Sequence, residues 1–188
     1  MLKKYILTTF ILSSSIISSR AQHTEWYTLN QSYKSGLELL EKRKFAAASE
    51  QFSRVEDYHT VPSTQPADSR QVSLLKENAQ FYVAVCALEL GNMNAENLFL
   101  KYIREYPASA NTKSAYFHVG RSYFDKKNYE KALEWFNQID ANSLTAKESE
   151  EYRFKLAYSY FTLKKYQEAE PLFAKLKDEK GPYNESSI

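Results

Sequence analysis

The chain has 188 residues, of which 43% are hydrophobic and 26% are charged, a composition typical of a globular domain and not of a disordered segment. Only four glycines and five prolines are present, which argues against a turn-rich all-β fold and favours long helices. The formal net charge of +2 lacks the strong basicity of a nucleic-acid-binding protein.

The N-terminus has the three parts of a secretory signal peptide. A lysine pair precedes residues 5–17, an apolar stretch too short to span a bilayer, and the small residues Ser19 and Ala21 occupy the positions that a signal peptidase reads. We therefore predict a signal peptide over residues 1–21, cleaved after Ala21, and a short unstructured lead over residues 22–28. Cleavage would leave 22 basic and 23 acidic residues, a net charge of −1. An uncleaved anchor helix is the alternative.

An internal repeat is marked by an alanine that is followed four residues later by a phenylalanine. The pairs are Ala48 and Phe52, Ala95 and Phe99, Ala132 and Phe136, and Ala169 and Phe173. Their alanines are spaced by 47, 37 and 37 residues, and two equal steps in the thirties are typical of a solenoid of two-helix units. The longer first step indicates an insertion. Residues 59–69 contain two prolines and several Ser and Thr residues, which predicts a loop there, with Asp68 or Ser69 capping the next helix.

The third unit shows most clearly how two helices would pack within a repeat. The residues at helical spacing are Tyr116, Gly120 and Tyr123 in its first helix, and Tyr129, Ala132 and Phe136 in its second. Small residues at Gly120 and Ala132 would let the helices approach closely, and the aromatic rings would fill the space beside them.

These residues resemble the tetratricopeptide repeat, a helix-turn-helix unit with large and small residues at fixed positions. The resemblance implies an all-α, right-handed solenoid of about four repeats and eight helices, over residues 29–58, 70–108, 109–142 and 145–180. The residues that would define the packing of the repeats are Gly36, Ala48, Phe52, Ala95, Phe99, Gly120, Tyr123, Tyr129, Ala132, Phe136, Ala157, Tyr160, Tyr166, Ala169 and Phe173.

Residues 181–188 read as the start of a truncated further repeat, after a Gly-Pro pair that ends the last predicted helix. Repeat arrays normally end in a polar capping helix, whereas Leu172, Phe173 and Leu176 have no predicted successor to cover them. We expect either that the chain is a fragment of a longer array or that this end binds a partner or a second copy.

In this family the first helix of each unit lines an inner, concave face. The resemblance places six candidate partner-binding residues on that face: Phe117, Arg121, Phe124, Phe154, Tyr158 and Phe161. A row of aromatic residues beside a few charges suits a partner peptide or helix. The alternative is that the rings pack against neighbouring helices and that Arg121 pairs with an acid such as Asp125.

No motif for catalysis or metal binding is recognisable. The three histidines, His23, His59 and His118, lie far apart, and there is no glycine-rich phosphate loop and no nucleophile motif. The single cysteine, Cys86, lies in an apolar helical run and is expected to be buried. We predict a protein that is not an enzyme and has no cofactor or metal.

The segment from Phe99 to Phe136 is similar in style to exported bacterial tetratricopeptide proteins of the Tol-Pal-associated or outer-membrane-assembly type. Together with the predicted signal peptide, this implies a scaffold in the periplasm, or on the periplasmic face of the outer membrane, that binds an unidentified envelope protein or peptide. One alternative is the extracytoplasmic sensory part of a longer signalling protein. The other is an envelope structural protein that associates with itself through its open C-terminal end.

Overall fold

The computed structural model of the protein describes residues 26–58 and 66–178. These ranges contain eight α-helices, one short 3-10 helix and no strand. The helices are α1 (26–41), α2 (Phe45–Glu56), α3 (Pro66–Glu89), α4 (Ala95–Glu105), α5 (Thr112–Asp125), α6 (Tyr129–Phe136), α7 (Ala146–Thr162) and α8 (Tyr166–Asp178), with the 3-10 helix at Ala141–Ser143. The predicted all-α class is confirmed. The predicted signal peptide and the predicted truncated repeat at residues 181–188 lie outside the described residues.

The chain divides into two compact bodies, with the boundary between Leu90 and Gly91. Helices α1 to α3 belong to the first body and helices α4 to α8 to the second. The boundary falls inside the predicted second repeat, residues 70–108, so that its two helices belong to different bodies.

The core of the first body is built around Phe52 of α2. Its ring stacks on Tyr82 of α3, with 5.0 Å between the ring centroids, and meets Tyr33 of α1 edge-on at 5.8 Å. A Cβ atom on Gly36 would come within 2.6 Å of the Phe52 ring, so the absence of a side chain allows this approach. Cys86 of α3 belongs to the same buried cluster, and burial together with Glu89 raises the pKa of its thiol to about 11.

The second body repeats this packing around Phe136 of α6. Each of its helices contacts the next along the chain, and α5 also contacts α7. A Cβ atom on Gly120 would clash with the Phe136 ring, as one on Gly36 would clash with Phe52. Both glycines precede their phenylalanine by the same number of residues, so the two bodies use one glycine–aromatic contact at equivalent places in a helical hairpin.

The turns of the α1–α2, α5–α6 and α7–α8 hairpins share one geometry. Each contains a residue with left-handed backbone, and the φ angles are 55° at Arg43, 60° at Lys127 and 61° at Lys164. The N–H of Lys127 donates to the carbonyl of Phe124 at 2.8 Å, and the N–H of the next residue, Asn128, donates to the carbonyl of Tyr123 at 2.9 Å. This pair of hydrogen bonds closes a helix C-terminus, usually with glycine at the left-handed position.

Two helix starts differ from the prediction. Helix α1 already includes residues 26–28, which were predicted as an unstructured lead, because Trp26 packs against the first hydrophobic cluster. Helix α3 begins at Pro66, inside the predicted loop, and therefore contains Asp68 and Ser69 instead of being capped by them. Proline favours the first position of a helix, since its φ angle is fixed near the helical value and its missing N–H has no partner there anyway.

Most residues predicted to define the packing of the repeats are buried: Gly36, Ala48, Phe52, Ala95, Phe99, Gly120, Ala132, Phe136, Ala157 and Ala169. Four others are half-buried: Tyr123, Tyr129, Tyr160 and Phe173. Tyr166 does not fit, because it is the first residue of α8 and is 55% exposed. At the other end of this helix, Leu176 is only 1% exposed, so it does not contribute to the uncovered apolar surface that the sequence predicted.

Candidate protein-binding surface

Helices α5 and α7 are joined by a row of charged side chains of alternating sign. Lys155 of α7 donates a hydrogen bond to Asp125 of α5 at 2.9 Å, and its Nζ lies 3.7 Å from Glu151. Arg121 of α5 lies 3.9 Å from the same Glu151 carboxylate. These four side chains balance one another in charge, so the face that they line is close to neutral.

An aromatic cluster lies next to this charged row. The rings of Phe124, Tyr129 and Tyr158 contact one another pairwise, with centroid distances of 5.5 to 5.9 Å. Phe154 extends the cluster along α7, with its centroid 6.0 Å from that of Tyr158. The ammonium group of Lys155 lies 4.2 Å from the centroid of Phe124, a cation–π contact that links the cluster to the charged row. Tyr158 is 39% exposed, so the cluster reaches solvent.

A second group of rings lies at the end of α7. Phe161 is 52% exposed, and its centroid is 5.6 Å from that of Tyr166 and 6.3 Å from that of Phe173. Because these rings are carried by two helices that pack against each other, they are presented on a rigid support. Large exposed rings on rigid elements lose little conformational entropy on binding and are typical anchors of protein interfaces.

Phe117 does not belong to this surface, which corrects the prediction. It is fully buried, and its ring stacks against Phe136 at 6.4 Å within the core of the second body. Helix α5 contacts α4, α6 and α7, so residues 117–120 are all buried and little of its circumference is left for a concave face. The periodicity of a helix identifies its apolar faces but not how many neighbours it has.

The structure also adds two residues that the sequence reasoning did not assign to this surface. Tyr129 was predicted to pack within its repeat, yet its ring belongs to the cluster with Phe124 and Tyr158. Lys155 was not singled out, although its position four residues after Glu151 on a helix is a recognisable ion-pair spacing.

A buried polar group lies where α5 meets the first turn of α7. His118 stacks on Phe99 with 4.9 Å between the ring centroids, and its Nε2 lies 3.5 Å from Glu148. Glu148 accepts hydrogen bonds from Ser114 and from Thr145, the residue that caps α7. Burial, together with the nearby Arg121, lowers the pKa of His118 to about 3, although the Glu148 carboxylate opposes this.

The carboxylate of Glu148 remains ionised in this setting. Burial alone would raise its pKa, but the hydrogen bonds from Ser114 and Thr145 keep the pKa below its usual value. At neutral pH the group is therefore a neutral imidazole beside a hydrogen-bonded carboxylate. This arrangement joins α5 to the first turn of α7.

The described parts of the chain contain no group of three or more His, Cys, Asp or Glu side chains that could hold a metal ion. Nor does any helix in the ranges 26–58 and 66–178 have the length and apolar character needed to cross a membrane.

Comparison with known families supports the tetratricopeptide resemblance. Residues 92–176 match the family described as anaphase-promoting complex, cyclosome, subunit 3, whose repeats are of the tetratricopeptide type. The match begins just before α4 and ends within α8, so it falls in the second body. No curated protein matches the chain. Repeats of this type are protein–protein interaction modules and are generally not catalytic.

Proposed function

We propose that the protein is an exported scaffold of the cell envelope that binds a partner peptide or helix across α5, α7 and the start of α8. The observation that carries the proposal is two groups of rings on α5, α7 and α8. Phe124 and Tyr158 lie beside a charge-balanced strip, and Phe161 is exposed three residues after Tyr158 on α7. An apolar segment of a partner would gain most by covering Tyr158 and Phe161, because these rings are still reached by water.

Export is the part of the proposal that rests on the sequence alone. The lysine pair, the short apolar stretch and the small residues before position 22 support it, and so does the similarity in style to exported bacterial tetratricopeptide proteins of the Tol-Pal-associated or outer-membrane-assembly type. Fusing residues 1–40 to alkaline phosphatase, which folds only after export, tests this part directly. We expect active enzyme and a mass that corresponds to cleavage after Ala21. An inactive, uncleaved fusion in the cytoplasm would contradict export.

The binding surface is tested by capturing partners from an envelope extract with the wild-type protein and then measuring the dissociation constant of the captured partner. We expect the double substitution Tyr158→Ala and Phe161→Ala to weaken binding roughly tenfold or more, as for interface anchors. Tyr27→Ala is the matched control, since Tyr27 is 58% exposed but lies in the first body. Circular dichroism of each variant checks that it is still helical. Equal affinity for the double variant and the wild type would refute this surface.

A further inference from the structure

The hairpin turns of the second body carry basic residues at their tips. The turn after α5 has Lys126 and Lys127, the turn after α7 has Lys164 and Lys165, and all four side chains are exposed. Lys126 forms an ion pair with Glu96 of α4 at 2.7 Å. Among the residues that the structure describes, the other three lysines have no ion-pair partner, so no described carboxylate is paired with their charges.

Two of these lysines occupy a backbone conformation that would favour glycine. Lys127 and Lys164 have φ angles of 60° and 61°, and in the first body Arg43 has a φ angle of 55°. For a residue with a Cβ atom, the left-handed region of backbone space costs roughly 1–2 kcal/mol, whereas glycine adopts it without this steric cost. Three turns thus place a long basic side chain where glycine would be less strained, which favours a role for the side chains themselves.

The turn after α7 also lies between two exposed rings. Phe161 and Tyr166 flank it in the chain, are more than half exposed, and have their centroids 5.6 Å apart. Together with Lys164 and Lys165 they form a surface that we call the turn patch. The exposed acids that follow in α8, at positions 168 and 170, form no ion pair with either lysine in the part of the chain that the structure describes.

We propose that the turn patch binds an acidic linear segment of a protein partner that also carries an aromatic or aliphatic side chain. The apolar side chain would cover Phe161 and Tyr166, while the carboxylates would lie against the ammonium groups of Lys164 and Lys165. Lysine suits this role because its ammonium group, on a flexible side chain, can bind carboxylates over a range of positions. The proposal rests on the proposed function and adds to it the chemical class of the partner.

The test is a selection of random linear peptides displayed against the immobilised protein, followed by binding measurements on the enriched peptides by fluorescence anisotropy. We expect the enriched peptides to be acidic and to contain aromatic or aliphatic residues. The variant Lys164→Glu/Lys165→Glu should bind them roughly tenfold more weakly or worse, and added salt should weaken the wild-type complex. The control variant Lys147→Glu/Lys175→Glu makes the same charge change at exposed positions near the opposite end of the α7–α8 hairpin and should bind as the wild type does.

Each other outcome overturns the proposal in a recognisable way. If the enriched peptides are neutral or basic and bind Phe161→Ala more weakly than the wild type, the proposed function stands but the acidic partner is refuted. Acidic peptides that bind Lys164→Glu/Lys165→Glu as well as the wild type would place the contact elsewhere. The absence of any enriched peptide would count against both proposals. If the wild-type protein binds no peptide but floats with phosphatidylglycerol vesicles, and Lys164→Glu/Lys165→Glu does not float, the turn patch is a membrane contact instead.

Discussion

Phenylalanine side chains of the second body differ widely in their contact with water, and their contributions to stability should differ accordingly. Phe117 is fully buried, whereas Phe161 is 52% exposed. We expect Phe117→Ala to lower the free energy of unfolding by about 3–5 kcal/mol, because it leaves a cavity in the core. Phe161→Ala should lower it by about 1 kcal/mol or less. Urea denaturation followed by circular dichroism measures both values, and similar losses for the two variants would show that the placement of one ring is wrong.

The same contrast explains how much of the candidate site the sequence could predict. Tyr158 and Phe161 were predicted to bind a partner on a concave face, and both side chains are exposed; partner binding itself stays a prediction. Phe117 was assigned to that face by its position in the repeat, but contacts of α5 with three other helices bury it. The pattern within one helix does not contain this information. Lys155 belongs to the surface through a contact with Asp125, 30 residues away in the chain, which only the fold brings together.

At the level of the helical hairpin, the left-handed turn residues make a specific prediction about stability. Replacing Lys127 by glycine removes a backbone strain of about 1–2 kcal/mol, which stabilises the folded protein. Glycine also gives the unfolded chain more conformational freedom, which destabilises the folded protein by about 0.5–1 kcal/mol. We therefore expect Lys127→Gly to raise the free energy of unfolding by up to about 1 kcal/mol. Lys127→Ala is the control, because it removes the same charge but keeps the Cβ atom. A gain of the same size in both variants would mean that the charge, and not the backbone, is the cause.

The repeat itself could be predicted because it is written in local spacing. Gly120 was predicted to let the two helices of its hairpin approach closely, with Phe136 in the space beside it, and in the structure a Cβ atom on Gly120 would clash with the Phe136 ring. Gly36 and Phe52, which the repeat pattern matched to the first unit, make the same close approach. The first residues of the helices were harder to predict from local spacing. A proline between polar residues looks like part of a loop, yet Pro66 is the first residue of the longest described helix. The division between Leu90 and Gly91 depends on contacts across the whole chain, which no local pattern records.

For the molecule as a whole, the group of His118 and Glu148 predicts a loss of stability in mild acid. The pKa of His118 is lowered to about 3 in the folded protein, against about 6.5 in the unfolded chain. The free energy of unfolding is therefore highest above pH 6.5, where His118 is neutral in both states. It falls as the pH drops from there towards 3, because the unfolded chain binds a proton at His118 that the folded protein does not. The lowered pKa of Glu148 acts in the same direction at lower pH, because the unfolded chain again binds the proton more readily.

Between pH 7 and pH 5 we expect His118 alone to lower the free energy of unfolding by about 1–2 kcal/mol. The variant His118→Gln keeps a polar side chain at this place but does not titrate, so its stability should change less over the same interval. Urea denaturation of both proteins at the two pH values measures the difference. If the protonated imidazole instead formed a favourable ion pair with Glu148, at 3.5 Å, the wild type would resist acid as well as the variant does. That result would show that the buried carboxylate, and not the desolvation of the imidazole, governs the protonation of His118.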